Sequence, residues 1–222
     1  MTFIRVLNKS FDIYKELFLY LIIFGACLQL VSAASEQIIG DSDFLSISSV
    51  LFSIIEYSLT LLLISYIHLS VQKGDGDLES SNLFGFLISR VSTLVVYVVA
   101  SLLIFLPVIL FDEHSGFLFA FFTIIYMALT GYYLFCAVYI SLIDGEGVLD
   151  SIVLSIKHAH GNGVLFKCSI QSIIILVIFS LVFTLADFNL EEWSPILSFI
   201  VSFFTIPFFQ CYFYSVYRES IY

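Results

Sequence analysis

Six apolar stretches separated by short polar connections constrain this chain more than any other feature in it. They run over 17–34, 45–71, 91–111, 117–143, 165–186 and 195–217. A helix needs about 20 residues to cross a hydrocarbon layer about 30 Å thick. A chain of 222 residues that is 60% hydrophobic and 12% charged could not hide that much apolar surface in water, because a soluble domain of this size needs a largely polar exterior. The expected fold is therefore all-α: a polytopic membrane helical bundle of six transmembrane helices, forming a single integral membrane domain over 1–222. Lys167, at the start of the fifth stretch, is the one cation within them and is placed to snorkel. Pro107 and Pro207 lie inside the third and sixth stretches and predict kinks. Pro195 suits the first turn of a helix.

Charge fixes an expected orientation. The connections 35–44, 112–116 and 187–194 carry acids but no Lys or Arg, whereas Arg5, Lys9, Lys15, Lys73, Arg90, Lys157, Lys167 and Arg218 all fall on the opposite side. Cations near span ends mark the cytoplasmic face, which puts both termini there. Residues 1–35 also admit a signal-peptide reading, with cations, the apolar run Leu17–Val31 and the small residues Ser32, Ala33 and Ala34. Asp12 and Glu16, and the length of the segment ahead of the apolar run, oppose it. The net charge of −10 argues against a nucleic-acid partner, which would require clustered cations.

The chain also reads as three related units, about 1–73, 74–144 and 145–222. Each opens with an amphipathic stretch on the cytoplasmic side, followed by a span out and a span back. In the first stretch Phe3, Ile4, Leu7, Phe11 and Tyr14 share a helical face; in the third, Leu149, Ile152, Val153 and Ile156 do. The middle one, Leu83 to Ser89, is shorter. Such helices are expected in the headgroup plane, apolar side down. The inner ends of spans two, four and six echo one another as Leu69-Ser70-Val71, Ile140-Ser141-Leu142 and Tyr214-Ser215-Val216. The first two are followed by Gly74-Asp75-Gly76 and Gly145-Glu146-Gly147.

Glu56 is the acid lying deep within a span. Ser46, Ser49, Ser53, Glu56 and Thr60 recur at steps of 3 and 4, drawing a polar stripe down span two. Ser198, Ser202, Thr205 and Gln210 echo it in span six, and Gln171 and Ser172 in span five. Two readings follow: a proton- or ion-binding carboxylate lining a polar path, or packing glue, with a protonated Glu56 bonded to hydroxyls on neighbouring helices. The glycine–acid–glycine pattern reads as a helix stop followed by an acid or serine cap; its carboxylates oppose phosphate binding, and it lacks the glycine and distal glutamate of a calcium loop. His158 and His160 point apart at i and i+2, and His68 and His114 fall on opposite faces, so all four read as interfacial polar residues. Cys27, Cys136, Cys168 and Cys211 have no zinc or redox spacing. No nucleophile, metal or nucleotide motif appears, so no catalytic, cofactor-binding or metal-binding residue, and no cofactor, is expected. The tyrosines gathered toward span ends, with Trp193, form an aromatic belt.

The segment 144–162, with Asp144, Gly147, Ser151, Ser155, Lys157 and Asn162, resembles the signature ahead of the fifth span in the bacterial YciC family of uncharacterised six-span inner-membrane proteins. It is also similar to the membrane domain attached to some glycerophosphodiester phosphodiesterases. The likeness in specific residues covers roughly 140–218, ending in Tyr217-Arg218; the family's aromatic residue before the asparagine is replaced here by His160-Gly161. The resemblance implies a bacterial inner-membrane location and no known activity. Ser151 and Ser155 would share the side of the surface helix that docks on the bundle, with Asn162 capping its end or the start of span five.

These features together lead to the expectation of a non-enzymatic membrane component that organises or binds a partner, either membrane lipids or an unidentified membrane or cytosolic protein. One alternative is a small-solute or ion transporter using the stripe of Ser49, Ser53, Glu56 and Thr60. Another is the membrane subunit of an enzyme complex whose catalytic part is a separate chain.

Overall fold

A computed structural model describes residues 2–39, 47–73, 80–110, 117–172, 174 and 194–221. The expected connections at 40–44 and 112–116, the acidic run 74–79, most of the fifth span, Trp193 and Ser46 lie outside the described residues. So do the side chains of Ser49, Ser198 and Ser202.

The described chain is helical, with no strand among the described residues. In order the helices are α1 (Thr2–Glu16), α2 (Phe18–Ile39), α3 (Ile47–Lys73), α4 (Ser80–Ser89), α5 (Ser92–Leu110), α6 (Phe117–Leu134) and a single turn, α7 (Ala137–Tyr139). A π-helical segment, Ile140–Asp144, follows, then α8 (Val148–Ala159), α9 described over 163–172, and α10 (Ser194–Ile221). Three helical stretches are long and apolar enough to cross a membrane: Phe18–Ser35 in α2, Leu51–Gln72 in α3, and Phe121–Asp144 from α6 through the π-helical segment. A shorter apolar stretch runs over Ser92–Val108.

The buried core is concentrated near one end of the bundle. It joins Leu61, Leu63, Ile64 and Ile67 of α3 to Leu134–Leu142 and to Cys211–Tyr217 of α10. Away from that end the helices show their leucines and phenylalanines outward, among them Leu30, Leu102, Phe105, Phe122 and Ile124. Apolar surface on that scale is untenable in water but natural in hydrocarbon, which solvates it.

Near its middle α10 runs against α2, and there the approach is close. Pro207 has no N–H to offer the carbonyl four residues back, which loosens the ladder at Phe203. Gly25 of α2 packs at that point. A Cβ on Gly25 would lie 2.7 Å from the Phe203 carbonyl oxygen and 2.9 Å from Cγ of Pro207, so only glycine lets the two backbones meet.

Leu17 joins α1 to α2 with the helical ladder nearly unbroken, its N–H donating to Ile13 at 3.0 Å. α1 lies along α10, burying Val6, Ser10 and Ile13 and setting Phe11 tilted and Tyr14 edge-on against the Phe208 ring at 4.8 and 5.6 Å. Arg5 and Lys9 reach Glu219 at 3.5 and 3.3 Å. Its flanks keep Ile4 and Phe11 exposed, so one side of α1 faces protein and the next is free for lipid. α8 has the same division. Ser151, Ser155 and Ala159, at i, i+4 and i+8, are buried, while Leu149, Val153 and Ile156 face away from the protein. The expected apolar face is thus uncovered, and the small residues make the contact with the bundle.

Gly25→Val should force α2 and α10 apart and lower stability by about 1–3 kcal/mol, the usual range for overpacking. Thermal melts of the detergent-solubilised protein would register it. Gly85→Ala, where an added Cβ meets nothing within 4 Å, should leave the melting temperature level or slightly raised.

Candidate functional site

At the well-packed end, side chains from four segments meet in a polar cluster. The π-helical turn Ile140–Asp144 closes on Gly145, which has φ of 82° and so favours glycine. The space where a side chain would stand is filled: a Cβ on Gly145 would collide with the Arg90 guanidinium. Arg90, in the turn between α4 and α5, also lies over the Phe86 ring at 5.8 Å. Beside it Thr93 and Ser141, both fully buried, share a hydrogen bond of 3.1 Å. The Tyr217 hydroxyl donates to Asp144 Oδ2 at 2.7 Å, and its ring stacks on Tyr139 at 5.2 Å. His68 of α3 is 2% exposed and shares a 3.2 Å hydrogen bond with the Tyr214 hydroxyl. Reading His68 as interfacial is therefore corrected: it belongs to the buried cluster. A π-turn widens a helix by one residue and often marks a functional position; here it brings Ser141 and Asp144 to partners on α5 and α10.

The signature residues divide into clear roles. Ser155 Oγ donates to the Tyr133 carbonyl at 2.7 Å, and Ser151 Oγ to the Glu146 carbonyl at 3.2 Å. Asn162 caps α9: its Oδ1 accepts from the Val164 and Leu165 N–H groups, each at 3.1 Å. Its Nδ2 donates to the Ser220 carbonyl at 3.0 Å, tying α9 to the last turn of α10. Lys157 is exposed. Gly147 sits at the N-cap of α8 with extended φ and ψ of −64° and 167° and no side-chain cap, and a Cβ there would meet no atom closer than 3.6 Å. Neither backbone nor space requires glycine at 147. The expected acid or serine cap is not what starts α8, although Gly145 does end the helix before it.

On α3, one hydroxyl of the expected stripe and two hydroxyls beside it bond within the helix. Thr60 Oγ1 donates to the Glu56 carbonyl at 2.9 Å, Ser58 to Ile54 at 2.7 Å and Ser65 to Leu61 at 2.7 Å. These hydroxyls turn back to their own helix, as Ser and Thr do when no neighbour competes, and none of them bridges to another helix. Ser53 and Glu56 are partly buried, near Tyr57, whose ring lies 4.5 Å from that of Tyr97 on α5. Among the described residues the ion pairs are those of Glu219 with Arg5 and Lys9; Glu56 joins neither.

A concavity lies elsewhere. A groove of about 890 Å³ runs between α6, α9 and α10. Its walls are apolar, with Met127, Leu129, Phe166, Ile170 and Phe213 prominent. At one end the lip is formed by His160, Gly161, Asn162 and Gly163. Tyr132 closes the corner, its hydroxyl donating to the Ala159 carbonyl at 2.8 Å and its ring meeting Phe166 edge-on at 6.2 Å. Gly131 lies in the wall, and a Cβ there would meet nothing within 4 Å. None of the sequence patterns pointed to this groove, since its lining comes from separate segments and most of it is ordinary apolar sequence.

Among the described residues no three His, Cys, Asp or Glu side chains gather as a metal site. Cys136, Cys168 and Cys211 are buried and Cys27 is exposed, all as free thiols. No protein-family model, curated protein or solved structure matches the chain.

Asn162→Ala should remove the cap of α9 and its tie to α10, lowering stability by about 1–2 kcal/mol as read by thermal melts. Gly145→Ala should cost at least as much, because it adds left-handed strain of about 1 kcal/mol to displacement of the Arg90 guanidinium.

Proposed function

We propose that this chain is a six-span membrane protein of the inner membrane, with both termini cytoplasmic, that holds a lipid in the groove between α6, α9 and α10 and catalyses no reaction. The groove carries the reading. It has the size of a ligand pocket, apolar walls and a polar lip at one end. A molecule with a hydrocarbon tail and a polar head matches that profile. The lip lies beside α8, whose exposed Leu149, Val153 and Ile156 suit the headgroup boundary, so head and tail would sit at their natural depths.

The same proposal includes three hairpin units, each led by a surface helix, and membership in the YciC-like family through Asp144, Gly147, Ser151, Ser155, Lys157 and Asn162. The cation distribution supports the orientation, and the chain order of α1, α4 and α8, each ahead of an apolar stretch, supports the unit reading. A protein partner on the cytoplasmic side remains compatible with lipid binding and is the first thing to look for in a purified sample.

Native mass spectrometry from mild detergent should reveal a retained lipid. Gly131→Phe, which places a ring in the open groove, should abolish the adduct while the melting temperature stays within a few degrees. An adduct that survives the blockade places the lipid elsewhere and defeats the reading.

A further inference from the structure

We infer that the groove takes an uncharged lipid, one whose head is a hydroxyl rather than a phosphate, as in a diacylglycerol. This rests on the groove being a lipid site and names the chemistry of its occupant. Among the described residues that line it there is no Lys, Arg, Asp or Glu. The two lysines nearest in sequence stay out of it. Lys157 precedes the lining Ala159 by two positions, which puts it on the opposite side of α8. Lys167 stands exposed between the lining Phe166 and Cys168 without joining them. A phosphate drawn against such walls would lose water and meet no counter-charge. Pockets that hold anionic headgroups between membrane helices are basic; this one is not.

Several polar side chains of the groove are already engaged with the protein itself. The Tyr132 hydroxyl donates to the Ala159 carbonyl, and Ser172 Oγ to the Cys168 carbonyl at 2.8 Å, so those carbonyls ask nothing of an occupant. Asn162 is spent on the α9 N–H groups and the Ser220 carbonyl; it is a positioning residue that fixes the rim. The His160 ring and the Ser169 hydroxyl have no hydrogen-bond partner among the described residues. His160 stands exposed at the lip, and a neutral imidazole offers one donor and one acceptor, the pair that a hydroxyl head can answer. Beside it the backbone is cleared for close approach: Gly161 has φ of 82°, and neither Gly161 nor Gly163 has any atom within 4 Å of the place a Cβ would take. Ser169, about 10 Å farther along α9 than Asn162, adds a second neutral hydroxyl.

Protein in mild detergent would be offered equimolar diacylglycerol, phosphatidylglycerol and phosphatidylethanolamine of matched chains. It would then be repurified, and its bound lipid extracted and quantified by mass spectrometry. Diacylglycerol should be retained over either phospholipid by roughly tenfold, the order expected when a phosphate gives up water without a counter-charge. Lys157→Gln with Lys167→Gln should leave that ratio where it is; a change there would place charge at the lip and overturn the inference. His160→Lys, which introduces a cation at the lip, should bring phosphatidylglycerol up to the level of diacylglycerol while the melting temperature holds. An unmoved ratio in that variant would mean that the head does not meet the lip, and would likewise overturn it. Equal or greater retention of a phospholipid by the unaltered protein, lost in Gly131→Phe, overturns the uncharged head and leaves the groove reading intact. Binding that survives Gly131→Phe, or no retained lipid of any class, defeats the groove reading itself.

Discussion

Helices solvated by hydrocarbon gain little by hiding leucines from one another, because lipid tails receive those side chains equally well. Whatever holds such a bundle together must come from close backbone approach, dispersion and buried hydrogen bonds. In this protein the close backbone approach lies near the middle of α10, and the buried hydrogen bonds gather near one end. Gly25 against Pro207 lets α2 touch α10. The Thr93–Ser141, His68–Tyr214 and Tyr217–Asp144 bonds then join α3, α5, the π-turn and α10 within a small volume. The outer halves of α5 and α6, with Leu102, Phe105, Phe122 and Ile124 exposed, have no comparable set among the described residues.

That concentration explains why the π-turn matters. An unbroken α-helix from Phe117 through Asp144 would rotate Ser141 and Asp144 away from their partners by roughly a residue's turn, about 100°. The inserted residue corrects the phase, and Gly145 ends the segment in the left-handed conformation that lets the chain turn into α8. Arg90 then covers that glycine. The signature residues act beyond this turn: Ser155 reaches the Tyr133 carbonyl and Asn162 reaches Ser220, fixing both ends of the connection between α8 and α9. Ser155 and Asn162 of the signature thereby acquire a physical meaning as helix-docking contacts.

The helices themselves were legible because long apolar windows have few other solutions. α1 and α8 were legible from their period, and Ser151, Ser155 and Asn162 from their spacing. The failures have physical causes. A histidine at a span end reads the same whether it meets headgroups or packs inward, so the burial of His68 required knowing where Tyr214 lies. Of the serines recurring at the inner stretch ends, Ser141 bonds Thr93 on α5 whereas Ser215 donates to the Cys211 carbonyl of its own helix, a difference the shared pattern could not indicate. Glu56 drew notice because a lone acid in an apolar run stands out. Of its stripe, the Thr60 hydroxyl bonds the Glu56 carbonyl of the same helix, and spacing along one helix cannot distinguish such a bond from one across helices. The groove left no pattern at all, being made by the separation of α6 from α9 rather than by unusual residues.

The last turn of α10 links these regions. Glu219 holds Arg5 and Lys9 of α1, and the next residue, Ser220, accepts the Asn162 side chain at the groove's lip. Tyr217, one turn earlier, holds Asp144. A single helical turn therefore positions the amphipathic helix at one edge, the π-turn in the middle and the rim of the groove at the other. A ligand that pressed against the rim would bear on the Asn162–Ser220 bond, and through it on the turn that seats α1. Coupling of this kind needs no long pathway through the bundle. It needs only that the three contacts share one turn of a helix, as they do here.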